Sequence, residues 1–412
     1  MIGLLGIVVL LGLAFLFSEN RAEIRLRTVL GGMALQFVLA VVLIDFPPSR
    51  HVMLGLNRAV DALQLATDAG TGFVFGYLGG GSLPFLETRQ GASFILAFKV
   101  LPLVLTISAI SALLVHWSIL QTVMRGFSAL LRRSLGLGGA LSLGAAVHVF
   151  VGMTEAPLLI RPWLARMERG EIFALMSCGM AGIAGTVMVI YGAMLRPVIP
   201  DALGSILSAA IISTPAALAI AAIMIPFGDP GPDESRLSLP DPPRGALDAI
   251  VRGTSDGMAP LVGIAAMLIV SVALVALVNM ALAALPEVMG EPLSLERIAS
   301  VPFRPVMWLI GVPWPETATA GALMGTKTIL NEFVAYLHLA ALPPEALSEK
   351  SRLIMTYALC GFANLASVGI LVGGMAAMVP ERRHEITALG MRSLVSGTMA
   401  TCTSGAWAGI LG

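Results

Sequence analysis

What most limits the possible folds of this chain is its series of long apolar stretches, near residues 1–17, 28–46, 92–120, 171–197, 204–226, 258–285, 353–379 and 386–411. Crossing a hydrocarbon core takes about 20 helical residues, and backbone immersed in lipid must satisfy its own polar groups. These stretches therefore predict membrane helices. Composition agrees: 57% of residues are hydrophobic and 12% charged, against roughly 25% charged in a soluble domain. The two-residue alternation of a β-barrel is absent. No basic segment precedes the first stretch and no small-residue cleavage site follows it, so it is expected to be retained as a span.

The formal net charge is zero, which gives no electrostatic case for a nucleic-acid partner. The placement of charge is more informative. Arg21, Arg25 and Arg27 follow the first span, and Arg125, Arg132 and Arg133 follow the third. Arg161, Arg166 and Arg169 precede the fourth, and Arg382 and Arg383 separate the last two. The positive-inside rule makes these loops cytoplasmic, with both termini outside a cytoplasmic (inner) membrane crossed many times. The polar insert 228–248, rich in Pro and acid, falls on the cytoplasmic side and reads as a flexible linker. Cys178, Cys360 and Cys402 sit in apolar context and read as small buried side chains.

Two segments break the pattern of spans. Residues 134–163 and 306–345 are apolar but interrupted by Gly, Pro and acid. By the assigned orientation the first starts and ends inside and the second starts and ends outside, so each is expected to be a re-entrant hairpin. Irregular backbone at membrane depth is tolerated only where protein buries it or it lines a wet cavity, which points to a site. The helix after each hairpin carries a related string, C-G-M-A-G-I-A at 178–184 and C-G-F-A-N-L-A at 360–366. Thr154-Glu155 and Asn331-Glu332 stand upstream of them. Two repeats of opposite topology are the arrangement of secondary transporters.

The expected fold is an all-α membrane protein of about eight transmembrane helices plus two re-entrant helical hairpins in inverted repeats. It divides into N-terminal spans with an interfacial segment (1–90), a scaffold helix with a cytoplasmic amphipathic segment (91–133), and repeat one (134–226). A cytoplasmic linker (227–252), a second scaffold helix with an interfacial segment (253–305) and repeat two (306–412) follow. An ionised carboxylate deep in lipid costs several kcal/mol, so Glu155 and Glu332 are expected to face a watery cavity or a partner, meeting where the repeats meet. The alternative is that each acid caps a half-helix N-terminus, where the dipole favours negative charge. Lys327 and Asn331, four apart, are expected to brace each other or cap carbonyls. No nucleophile-and-base constellation or metal-ligand cluster is present in the sequence, which argues against an intramembrane enzyme built on the two glutamates.

The chain resembles the concentrative nucleoside transporters. The resemblance runs along most of it from about residue 72, through GFVFGYLGG (72–80), FKVLPLVL (98–105), TEAPLLIRP (154–162), IAGTV (183–187), WLIGVPW (308–314), KTILNEFVAYL (327–337), YALCGFANLASVGI (357–370) and LGMRSLVSGTMAT (389–401). The resemblance implies uptake of nucleosides driven by a cation gradient, with no prosthetic cofactor, in a homotrimer whose protomers each have a pathway. It also implies that Glu332, Asn364 and Ser367 bind the sugar hydroxyls and that Phe362 lies beside base and sugar. Thr154 and Glu155 fall on the base side. Met153 stands where most members have Gln, which implies a broad or shifted base preference. At the positions of two side-chain sodium ligands the chain has His148 and Gly182, while Val151 and Ile183 keep only their carbonyls. A hard cation needs several oxygens, and a histidine titrates near neutral pH. The expected coupling ion is therefore H+ rather than Na+. An uncoupled facilitator or channel on the same scaffold is the alternative.

Overall fold

A computed structural model describes residues 2–87, 93–196, 198–199, 201–228, 243–288, 290 and 292–412. Among the described residues every extended element is a helix. The chain opens with α1 (Ile2–Leu16) and α2 (Leu26–Ala40), and a π turn then leads to α3 (Pro47–Phe75), whose first residue is a proline. Pro is favoured there because its missing N–H has no helical partner in any case. The one-turn α4 (Leu96–Lys99) precedes α5 (Leu103–His116) and the amphipathic α6 (Ile119–Leu135). α6 stops at Gly136, whose φ of 67° caps the helix behind Arg132 and Arg133.

The first helix pair follows: α7 (Gly139–His148) is one arm, and the other is broken into the short α8 (Glu155–Leu159) and α9 (Arg161–Leu164). After it come α10 (Arg169–Ala181), α11 (Gly185–Leu195) and α12 (Ala202–Met224). The long α13 (Ala246–Ala283) and α14 (Leu295–Leu309) lead to the second pair, α15 (Thr317–Ile329) and α16 (Glu332–Ala341). The chain closes with α17 (Glu349–Leu359), α18 (Leu365–Met378) and α19 (Arg383–Leu411). Among the described residues five helical stretches are long and apolar enough to cross a membrane: Leu26–Asp45, Leu96–His116, Arg169–Leu195, Ala202–Met224 and Ala246–Ala283.

Burial separates an inner bundle from an outer scaffold. α12 is apolar all round and buried along nearly its whole length, and most of α19 is buried with it. α13 instead exposes most of its apolar surface; its buried residues are Ala249, Gly253 and Gly257, and the two glycines face α5. A Cβ at Gly253 would lie 2.6 Å from that of Ala112, and one at Gly257 would lie 3.0 Å from that of Ser108. This four-residue spacing of small residues lets the backbones of α13 and α5 approach closely.

Two stretches read as single spans are each broken in two. The expected helix 171–197 is α10 and α11, separated by extended residues at Gly182 and Ala184. The expected helix 353–379 is α17 and α18, separated by residues 360–364. The two related strings fall on these breaks. Apolar composition hides them, because Gly and Ala fit a helix and an extended turn alike. The second helix pair occupies 317–341, and the beginning of the expected range 306–345 belongs to the end of α14 and the turn behind it. α14 runs through Pro302 and Pro305, with the Trp308 and Trp314 rings 6.5 Å apart at its end. Of the expected linker 227–252, residues 229–242 lie outside the described residues.

Candidate functional site

The two breaks cross. The Phe362 N–H donates to the Gly182 carbonyl at 3.1 Å, joining the interruption of α17/α18 to that of α10/α11. Gly361 makes the crossing possible: its φ is 156°, and a Cβ there would lie 2.9 Å from the Met180 carbonyl oxygen and 3.0 Å from that of Ala181. On the other side the Gly185 N–H donates to Phe150 O at 3.2 Å, tying the loop after α7 to the first break. Half-helix ends therefore converge on one region, and they bring partial charges with them.

Glu332 lies beside that crossing, 4% exposed. The Tyr191 hydroxyl donates to its Oε1 at 2.7 Å, and Asn364 Nδ2 donates to its Oε2 at 3.0 Å. Its neighbours free it for this. Asn331 caps α16 by accepting from the Val334 N–H at 2.9 Å, so Glu332 is not the cap. Asn364 is doubly engaged, because its Oδ1 also accepts from the Ser367 N–H at 2.8 Å and caps α18. That cap places the buried Ser367 one turn into α18. Phe362 is half-buried at the crossing.

Among the described residues no hydrogen bond joins Lys327 to Asn331. Fully buried, Lys327 donates to Ala358 O at 2.9 Å and Thr401 Oγ1 at 3.3 Å. It thus satisfies a carbonyl at the C-terminal end of α17, where the helix dipole favours a cation.

The first pair of helices contributes differently. Met153 is buried. Glu155 is exposed and accepts from Thr154 Oγ1 at 3.0 Å, and among the described residues no hydrogen bond joins it to Glu332. A Cβ at Gly152 would collide with its carboxylate, so Gly152 is what lets the side chain fold back over the loop. Thr154 reaches α18: a Cβ at Gly374 would lie 3.2 Å from its methyl. The helix carrying Asn364 and Ser367 therefore packs on the loop carrying Met153, Thr154 and Glu155.

Comparison with known proteins decides what kind of molecule this is. Residues 205–409 match the description Na+ dependent nucleoside transporter C-terminus, 5–78 match its N-terminus, and 97–198 match Gate, nucleoside recognition. An uncharacterized transporter of Haemophilus influenzae is 37% identical over 99% of this chain and 96% of its own. The nucleoside permease NupC of Helicobacter pylori is 33% identical over 98% of this chain and 96% of its own. CNTnw, solved in an inward-facing substrate-bound state, is 34% identical with a TM-score of 0.90 over 100% of this chain and 98% of its own. The chain belongs to the concentrative nucleoside transporter family. It is an all-helical member of a family of membrane transporters, and its relatives are not enzymes.

The residues expected at the ion site lie around the end of α7 and the first break. His148 ends α7 and is 2% exposed, and its Nε2 has no partner among the described residues. A Cβ at Gly179 would lie 3.2 Å from its Cε1 and 3.3 Å from the Met153 Cβ. The imidazole and Met153 thus share the room left by one glycine of α10. Ile183 is buried in the first break, and Val151 is half-buried in the loop behind α7. Among the described residues no three His, Cys, Asp or Glu side chains cluster as a metal site.

Sequence reasoning missed Tyr191. It lies in the apolar run GTVMVIYGAML of α11, and the signal available was general: a buried tyrosine in a membrane helix needs a partner for its hydroxyl. Which partner depends on how α11 packs against α16.

Proposed function

We propose that this transporter takes up nucleosides across the cytoplasmic membrane by cation-coupled alternating access, with a proton as the coupling ion. The observation that carries the reading is Glu332, buried at the crossing of two broken helices and bonded to Asn364, with the buried Ser367 one turn away. A ribose diol presents donors and acceptors, and a carboxylate, an amide and a hydroxyl complement it. Phe362 lies beside base and sugar, and Met153, Thr154 and Glu155 serve the base side. The two helix pairs act as opposed re-entrant hairpins, 134–163 and 317–341, within repeats 134–226 and 306–412. The half containing both moves against the scaffold of α5 and α13, in a homotrimer with both termini outside.

Proton coupling is supported by the loss of side-chain oxygens. His148 and Gly182 offer a ring nitrogen and no side chain, and only the carbonyls of Val151 and Ile183 remain, short of the shell a hard cation prefers. His148 is the candidate proton site. The test is uptake into proteoliposomes across a panel of nucleosides, with sodium and pH gradients imposed independently. Accumulation should follow an inward proton gradient without sodium and collapse with a protonophore. Accumulation driven by sodium at equal pH rejects the proton, and equilibration without accumulation under either gradient makes the molecule a facilitator.

A further inference from the structure

Glu332 has its two oxygens fixed from two different repeats. Asn364 belongs to the second repeat, as Glu332 does, but Tyr191 belongs to the first. Its ring is fully buried against α16, with centroids 4.9 Å from Tyr336 and 5.8 Å from Phe333. Phe333 follows Glu332 in the chain, and Tyr336 lies one turn further along the same face. Tyr336 is itself anchored, its hydroxyl donating to Thr356 O at 2.8 Å. The packing that holds the ring therefore delivers its hydroxyl to Oε1 and nowhere else.

We propose that Tyr191 is a positioning residue that sets the sugar selectivity of the site through Glu332. The proposal rests on the reading that Glu332 meets the sugar. One donor on each oxygen stops rotation of the carboxylate about its terminal bond. Each oxygen keeps a further acceptor direction, and a carboxylate accepting at both oxygens offers acceptors only. The group thus presents a fixed pair of acceptors, which recognises a pair of hydroxyl donors and gives nothing to a substrate that lacks them. Removing the tyrosine hydroxyl leaves Asn364 as the remaining restraint and a buried oxygen short of a donor. A residue of the first repeat thereby shapes the sugar subsite of the second.

The test is Y191F, which keeps the ring and its packing, assayed in proteoliposomes with uridine and 2′,3′-dideoxyuridine beside E332Q. The KM for uridine should rise about tenfold, equivalent to ~1.4 kcal/mol. The KM for dideoxyuridine and the maximal rate should each stay within about twofold, so the preference for the hydroxylated sugar collapses. If E332Q loses that preference while Y191F keeps it, or if Y191F weakens both substrates equally, Tyr191 has no positioning role. Failure of Y191F to yield folded protein also overturns the proposal, because the hydroxyl would then serve folding. If E332Q weakens both substrates equally, the assignment of Glu332 to the sugar fails instead.

Discussion

Replacing Asn364 separates two jobs that one side chain performs. Its Oδ1 caps α18 through the Ser367 N–H at 2.8 Å, and its Nδ2 donates to Glu332 at 3.0 Å. Loss of a cap costs about 0.5–2 kcal/mol, whereas loss of a hydrogen bond to a charged group costs about 1.5–3 kcal/mol. Ser keeps the first function and loses the second; Ala loses both. In Asn364→Ser, nucleoside affinity should fall by roughly 10- to 150-fold, and thermal stability should fall less than in the Ala variant, which loses the cap as well. In Asn364→Ala the affinity loss should be similar or greater, and the purified protein should melt several degrees earlier. Affinity is read by calorimetric titration with uridine in detergent, and stability by a thermal scan without substrate. Wild-type affinity in the Ser variant would refute the reasoning, because the donor to Glu332 would then have no part in binding.

Further outcomes follow from the same geometry. Met153→Gln should change the relative uptake of uridine, cytidine and adenosine, and an unchanged ratio measured on wild type and variant side by side counts against a base-facing role. Gly361→Ala should abolish transport and lower the yield of folded protein, because a Cβ would press on the Met180 and Ala181 carbonyls at 2.9 and 3.0 Å; normal uptake would mean the breaks can separate without loss. Glu19 joins Arg169 at 3.0 Å and also pairs with Arg392. The hydrogen bond from Arg169, reinforced by both guanidinium charges, holds the Glu19 carboxyl below its ordinary value of 4.5. A depressed carboxylate stabilises the fold above its unfolded value and loses that contribution as pH falls through the folded one. Glu19→Gln should therefore cost under about 1 kcal/mol at pH 7, given the exposure of the pair. Its disadvantage should shrink on acidification below pH 4.5, measured by thermal scans against wild type; a disadvantage that grows with acid would reverse the sign.

Much of the architecture was legible because membrane burial writes strong signals. The apolar stretches, the two acids at interrupted segments and the paired Cys-Gly strings are each visible in one pass along the chain. The helix breaks were not, since residues 182–184 and 360–364 contain nothing that a continuous apolar helix forbids. Gly361 is required there by a contact with a distant carbonyl, and such a contact has no local signature. The two acids also look alike in sequence, each behind a polar residue at a loop. The structure gives them different surroundings, Glu332 buried between two donors and Glu155 exposed over Gly152. Asn331 explains part of that difference, because it takes the capping role and leaves Glu332 free to reach inward. Lys327 was recognisable as a side chain in need of acceptors, but Ala358 and Thr401 as its partners depend on the packing of three helices.

Uptake of radiolabelled uridine into proteoliposomes containing wild-type protein or Glu332→Ala, both checked for the same elution on size exclusion, is the most direct measurement. Concentrative uptake by wild type and its loss in the folded variant is the predicted result. Uptake by Glu332→Ala at the wild-type rate and affinity would contradict a sugar site built on that carboxylate.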